Sequence, residues 1–315
     1  MDARSFAIPY PDVMSNETNS PAIELSEILA TTVETAGRSV VQVAARRGMG
    51  SSGVVWSEDG LIVAADHNIE REEDITVGLP DGTTVPAQLV GRDPSTDVAL
   101  LRVDASDLAM PDWSDLSGLK VGHLVLNLLR PGRSVRALLG IVGALGREAW
   151  RTPAGGRLDL YLHAGVEIQK GSSGSLLVDM AGRALGLATA GLQRGHLLAI
   201  PPETLKRIVE SLLKHGRIPR GYLGLALVPV RLPASVEEAA GQPVGLMVAG
   251  VQPGSSAETS GVLLGDILIS LDGETVADLG QLHGLLSAER IGQESVLRLV
   301  RAGEIREVRV TIGAR

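Results

Sequence analysis

The chain has 315 residues, 44% of them hydrophobic, with 38 Gly; that is too long for one small core and excludes wholesale disorder, so two domains are the starting expectation. A formal net charge of −8 argues against a general nucleic-acid binder, and the lack of any Cys excludes disulfides, thiol catalysis and Cys-ligated metal. No stretch reaches the roughly 18 uninterrupted apolar residues of a membrane helix, so no membrane span is expected.

Residues 1–22 are polar and punctuated by Pro11 and Pro21, the composition of an extended arm. The chain holds only one Phe and three Tyr, yet Phe6 and Tyr10 both fall in this arm. Aromatics there need a surface to cover them. The start Met1-Asp2-Ala3-Arg4-Ser5 lacks the charged-then-apolar layout of a signal peptide. A cytoplasmic location is therefore expected, with the periplasm or cell envelope as the alternative if a leader has been removed.

Ile23, Ile28, Leu29 and Val33 predict a helix from about Ile23 to Ala36. Strands follow at Ser39–Val43, Gly53–Trp56, Leu61–Ala64, Ile75–Leu79 and Thr84–Val90, separated by turns at Glu58-Asp59-Gly60 and Pro80-Asp81-Gly82. Short β-branched runs joined by Asp-Gly turns indicate antiparallel hairpins in a sandwich or barrel rather than βαβ units. A second strand set runs from about Val121 to Ile200, with Gly140–Leu145 and Ala184–Thr189 as central members. Pro201-Pro202-Glu203-Thr204 opens a helix over 202–215, carried by Leu205, Ile208, Val209, Leu212 and Leu213 and stopped at Gly216. Residues 217–220 read as a linker. Residues 221–315 form a mixed unit with strands at Leu223–Val228 and Val296–Arg301, and a helix over Ala277–Ala288.

The chemistry lies in three turn-like segments: Ala65-Asp66-His67, Asp93-Pro94-Ser95-Thr96-Asp97 and Gly171-Ser172-Ser173-Gly174. A Ser hydroxyl needs an adjacent base, and that base needs a third group to fix its tautomer. The order His67, Asp97, Ser173 is that of chymotrypsin-like double β-barrels. One barrel over about 37–115 would carry His67 and Asp97, and a second over about 116–201 would carry Ser173. The loop Gly171, Ser172, Ser173 would then form the oxyanion hole, the N–H groups of Gly171 and Ser173 facing the developing charge. Glu167 precedes Ser173 by six residues, the offset of the acid in trypsin-like pockets. Glu167, Ile168, Leu192 and His196 are the candidates for the specificity pocket. His123, His163, His196 and His215 show no metal-ligand spacing, and no nucleotide site is visible, so no cofactor or metal is expected.

From Ser39 onward the chain resembles the HtrA/Deg family of serine proteases. The resemblance runs through Gly50-Ser51-Ser52-Gly53-Val54-Val55, Asp66-His67, Val90–Leu101, Gly140–Arg147 and Ala199-Ile200-Pro201. It implies that His67, Asp97 and Ser173 are the catalytic triad, in a protease domain over 23–216. It also implies a PDZ domain over 221–315, with Tyr222-Leu223-Gly224-Leu225 as the carboxylate-binding loop for C-terminal peptides. The expected fold is mainly β: a chymotrypsin-like double barrel followed by a mixed α/β PDZ domain. The expected activity is ATP-independent cleavage of unfolded or misfolded proteins. A homotrimer or higher homo-oligomer, with Phe6 and Tyr10 mediating trimerisation, and a small aliphatic pocket are further implications. Three departures bear on activity: Ser172 stands where the family has Asn, Ser175 where it has Gly, and Leu176 where it has Pro. They make the oxyanion geometry the point on which activity depends. The alternative is a catalytically impaired pseudoprotease acting as a peptide binder or chaperone.

Overall fold

The computed structural model describes residues 20–287 and 290–314; the aromatic pair Phe6 and Tyr10 lies outside them. Helix α1 (Pro21–Ala36) leads into the first barrel, formed by β1 (Val40–Ala44), β2 (Ser51–Val55), β3 (Leu61–Ala65), β4 (Ile75–Gly78), β5 (Thr84–Asp93) and β6 (Val98–Val103). The barrel closes in the order β1-β2-β3-β6-β5-β4. Alternation of side chains explains why each strand carries two apolar sets. Val41, Val43, Ile62, Ala64, Ile75, Val77, Ala99 and Leu101 fill the barrel, while Val40, Val54, Val63, Val98 and Leu100 face outward.

The second barrel comprises β7 (Leu124–Leu129), β8 (Arg136–Gly146), β11 (Tyr161–Gly165), β12 (Ser175–Asp179), β13 (Ala184–Thr189) and β14 (Leu197–Ile200). It closes as β11-β14-β13-β12-β7-β8, and a small hairpin of β9 (Trp150–Arg151) and β10 (Arg157–Leu158) projects between β8 and β11. The outward apolar residues of both barrels merge with Leu205, Ile208, Val209 and Leu212 of α2 (Pro202–His215) into one buried cluster. That shared core fixes the barrels against each other, so residues at the strand ends facing the seam are held in register. Gly216 ends α2 in the left-handed region at φ 69°, with its N–H on Leu212 O.

The C-terminal unit has a sheet in the order β16-β17-β18-β20-β21, from β16 (Leu225–Arg231), β17 (Val244–Val251), β18 (Ile267–Leu271), β20 (Glu294–Arg301) and β21 (Glu304–Thr311), with β19 (Glu274–Thr275) beside β18. β15 (Gly221–Tyr222) pairs with β22 (Gly313–Ala314), and helices α3 (Ala234–Ala240), α4 (Ser256–Thr259) and α5 (Leu279–Leu285) complete the unit. Two of the boundaries that differ from expectation have a local cause. The strand expected from Leu223 starts at Leu225, because Gly224 at φ 82° bends the chain first. The described helix is Leu279–Leu285 rather than 277–288: the Asp278 carboxylate caps it by accepting from Gln281 N–H at 2.8 Å, and Leu286 leaves helical geometry. α3, between Pro233 and the left-handed Gly241, was not anticipated by the apolar pattern, since it buries only Val236 and Ala240.

Candidate active site

His67 sits on a short 3-10 turn (Asp66–Asn68) directly after β3. Arg92 of β5 anchors that turn, its Nε donating to Asp66 Oδ1 at 2.5 Å. Burial raises the Asp66 pKa against the pull of this guanidinium. Asp97 ends the β5–β6 turn at φ 60°, a conformation Asp tolerates better than most residues. The turn is built around buried Asp93. Its Oδ1 accepts from Ser95 N–H at 3.1 Å and Ser95 Oγ at 2.6 Å, and its Oδ2 accepts from Thr96 Oγ1. Arg220, just before β15, adds a charge-assisted contact to Asp93 at 3.3 Å.

Between these turns, His67 Nδ1 lies 2.9 and 2.8 Å from the two Asp97 carboxylate oxygens. The His67 backbone N–H donates to Asp97 Oδ1 at 2.9 Å. A carboxylate only accepts, so the imidazole proton belongs on Nδ1 and Nε2 keeps its lone pair. The Asp97 hydrogen bond raises the His67 pKa above the ordinary imidazole value, against desolvation; the charges of Asp97 and Asp66 act in the same direction. Thr189, at the end of β13, donates its hydroxyl to Asp97 Oδ2 and accepts from Gly191 N–H at 3.0 Å. Gly191 then runs across the Asp97–His67 pair so closely that any Cβ would press on both.

Ser173 enters from the second barrel, 8% exposed. Its Oγ accepts from Ala190 N–H at 3.1 Å. Among the described residues it makes no hydrogen bond to His67. Such contacts commonly tighten only when substrate is bound.

The loop before Ser173 is the decisive part. Ser172 N–H donates to Gln169 O at 3.0 Å, and Gly171 has φ 92°. A turn closed from the fourth residue to the first, with Gly at positive φ in third place, has the type II form. Relative to type I, its central peptide is reversed, which turns Gly171 N–H outward from the turn. Among the described residues, the N–H groups of Gly171 and Ser173 have no protein acceptor. The expectation for Ser172 is corrected: its N–H and Oγ both serve Gln169, the Oγ accepting from Gln169 N–H at 2.9 Å, so it closes the turn rather than donating to a ligand. The three successive carbonyls are held by other elements. Gly171 O accepts from Ser52 Oγ at 2.9 Å, Ser172 O from Ser175 Oγ, and Ser173 O from Asn68 Nδ2 at 3.3 Å. Ser175 thus braces the loop it was expected to disturb.

The four pocket candidates separate. Glu167 is exposed, with its carboxylate on Gln169 Nε2 at 3.0 Å, so it forms no buried pocket floor. Leu192 is buried in the seam between the barrels. Ile168 is 41% exposed, and His196 packs edge-on against His163 with ring centroids 4.8 Å apart and a buried, unpartnered Nδ1.

In the C-terminal unit, a groove of ≈ 310 Å³ runs between β16 and α5, lined by Leu225 and Leu227 on one side and Leu279 and Leu282 on the other. Tyr222, Leu223 and Gly224 close one end. Among the described residues β16 has β17 as its one sheet neighbour, which leaves an open edge. Among the described residues, Leu223 and Gly224 N–H have no protein acceptor. A side chain at Gly224 would overlap Ser255. Sequence reasoning gave no role to Ser52, Asn68, Asn127, Thr189 or Gly191. Only Ser52 stood in a quoted motif; the others are single polar or small residues within strands, turns and loops, with no diagnostic spacing.

Two closed barrels meeting at a His-Asp pair and a Ser on a glycine turn define a chymotrypsin-like serine peptidase fold, here joined to a C-terminal module with a groove beside an open strand edge. Comparison agrees: residues 51–187 match the family described as trypsin-like peptidase domain and residues 221–312 match the PDZ domain. The chain belongs to the HtrA family. It is 33% identical over 277 residues to a Halomonas elongata protein named "Probable periplasmic serine endoprotease DegP-like", covering 85% of this chain and 57% of that protein. A Brucella suis protein of the same name is 32% identical over 271 residues, with 84% and 52% covered. The chain therefore spans little more than half the length of these curated relatives. Among solved structures, the HtrA-type protease AlgW with decapeptide is 25% identical, with TM-score 0.67 and 91% and 98% of the two chains covered. The serine endoprotease from Yersinia pestis gives 26% identity, TM-score 0.67 and coverage of 91% and 97%. Both curated relatives are named periplasmic, which fits the envelope alternative and not the cytoplasmic expectation. Among the described residues no helix is long and apolar enough to cross a membrane.

Proposed function

We propose that this chain is a serine endopeptidase that cleaves unfolded or misfolded proteins in the periplasm or cell envelope, with its PDZ domain receiving substrate or regulatory C-termini. Ser173 is the nucleophile. His67 Nε2 takes its proton as Oγ attacks the scissile carbonyl, and Asp97 steadies the imidazolium that forms. The oxyanion meets the N–H groups of Gly171 and Ser173. His67 then returns the proton to the leaving amine, giving an acyl-enzyme. Water, activated by the same imidazole, completes hydrolysis.

The observation that carries this reading is the pair of unpaired N–H groups beside an Asp97-oriented His67: a binder would have no use for donors left without acceptors next to a nucleophile. Ile168 and His196 are the residues proposed to line the substrate pocket. The exposed Glu167 argues against a preference for basic residues. In the PDZ domain, an extended peptide adds to the open edge of β16, its carboxylate on the N–H groups of Leu223 and Gly224. Assembly as a homotrimer belongs to the same reading and rests on family likeness alone. Casein hydrolysis by the wild type, lost in Ser173→Ala, is the expected result; hydrolysis that survives the substitution refutes the assignment.

A further inference from the structure

The peptide between Ser172 and Ser173 carries one of the two N–H groups assigned to the oxyanion. In a trans peptide the C=O and N–H point in opposite directions, and the described chain has no cis bond. Whatever holds Ser172 O therefore decides where Ser173 N–H points. The holder is Ser175 Oγ, fully buried at the start of β12. Ser175 Oγ also lies 2.7 Å from Oδ1 of Asn127, a fully buried residue of β7.

A hydroxyl has one proton to give. Given to Ser172 O, it leaves Ser175 Oγ able only to accept from Asn127. The Asn127 amide must then present its NH2 group. That half-turn places the amide oxygen on the far side, where the nitrogen is otherwise buried without a partner; an unpaired buried acceptor is less rare than an unpaired buried donor. The result is a directed chain: Asn127 Nδ2–H to Ser175 Oγ–H to Ser172 O, across the peptide to Ser173 N–H. Each link polarises the next in a dry environment.

We propose that Asn127 and Ser175 are positioning residues that aim the Ser173 N–H at the oxyanion and strengthen it as a donor. Neither touches substrate. The proposal rests on the serine-peptidase reading above. It explains how this chain keeps an ordered oxyanion loop with Ser where the family resemblance leads one to expect Gly. Ser52 and Asn68 hold the flanking carbonyls, so loss of Ser175 loosens one peptide and not the whole loop.

The test compares Ser175→Ala, Ser175→Gly, Ser175→Thr and Asn127→Asp, using a chromogenic peptide substrate and a peptidyl trifluoromethyl ketone, which forms a tetrahedral adduct. Removing the hydroxyl is expected to lower kcat about tenfold, a fraction of the 10²–10³ that loss of a whole oxyanion donor costs. KM stays within about twofold, and ketone affinity falls in step with kcat. Ser175→Thr, which keeps the hydroxyl, restores kcat. Asn127→Asp keeps the size and, assayed across a pH range that ionises the new carboxyl, then offers only acceptors, draws the Ser175 proton away from Ser172 and gives a loss like that of Ser175→Ala. The double variant Ser175→Ala/Asn127→Asp is no slower than Ser175→Ala, because both act through one hydrogen bond. Melting temperatures separate these effects from misfolding, and Ser175→Gly restores the residue expected from the family should Ala prove harmful. Wild-type kcat in Ser175→Ala or Ser175→Gly, or additive losses in the double variant, overturns the relay while leaving the triad intact. A wild type that neither hydrolyses the peptide nor binds the ketone overturns the serine-peptidase reading, and the relay with it.

Discussion

Gly191→Ala should disable the His67–Asp97 pair without touching either residue. Gly191 is exposed and not at positive φ, so Ala costs nothing in backbone strain and little in packing elsewhere. Its Cβ, however, would stand 2.5 Å from Asp97 Oδ2, 2.7 Å from His67 Nδ1 and 3.0 Å from Asp97 Cγ. Ordinary contact begins at 3.4 Å, so the pair must give way by about 0.9 Å at the carboxylate and about 0.7 Å at the ring. Asp97 cannot yield freely, because Thr189 Oγ1 and the His67 backbone N–H hold its two oxygens. The imidazole is the softer partner and is expected to swing away from Ser173. A misplacement near 1 Å costs on the order of 10²-fold in rate, and complete loss of the orienting carboxylate about 10⁴. We therefore expect kcat for a peptide substrate to fall by about 10²-fold with KM little changed and the melting temperature within about 1 °C, since none of the core is disturbed. Hydrolysis within twofold of wild type would refute the idea that the backbone at 191 fixes the geometry of the pair.

Further outcomes follow from the same contacts. Because His67 must be neutral to act as a base and its pKa is raised by Asp97, kcat/KM should fall with decreasing pH through a midpoint above the ordinary 6.5. Asp66→Asn removes a second raising charge and should move that midpoint down; an unmoved acid limb contradicts the electrostatic assignment. Thr189→Val deletes a hydroxyl bonded to a buried carboxylate, a contact of about 1.5–3 kcal/mol, and should lower kcat at least tenfold in the same assay. Gly224→Ala, at φ 82° and against Ser255, should abolish binding of C-terminal peptides measured by calorimetry while hydrolysis of short substrates persists.

The sequence made some of this legible and hid the rest for physical reasons. Strand periodicity and Asp-Gly turns are local signals, and they exposed the antiparallel hairpins that the barrels close. The His, Asp and Ser segments were readable because each sits in a turn of distinctive composition. What remained hidden is the support around them. Thr189 touches Asp97 across 92 residues, Ser52 touches Gly171 across 119, and Asn68 touches Ser173 across 105. Such contacts are products of barrel closure and leave no spacing to find. Glu167 shows the converse: its offset from Ser173 suggested a pocket acid, but the loop turns it to solvent, where it pairs with Gln169. Ser175 looked like a defect for a related reason. A substitution can be judged only beside its partner, and Asn127 lies 48 residues away.

The most direct test is to treat the protein with a fluorophosphonate, digest it and map the adduct. The reagent needs an activated hydroxyl and a working oxyanion site, and the fragment spanning residues 171–183 contains Ser172, Ser173 and Ser175. The account predicts a single adduct on Ser173, absent in His67→Ala. An adduct on Ser172 or Ser175, or an unmodified fragment at every pH tried, would contradict it.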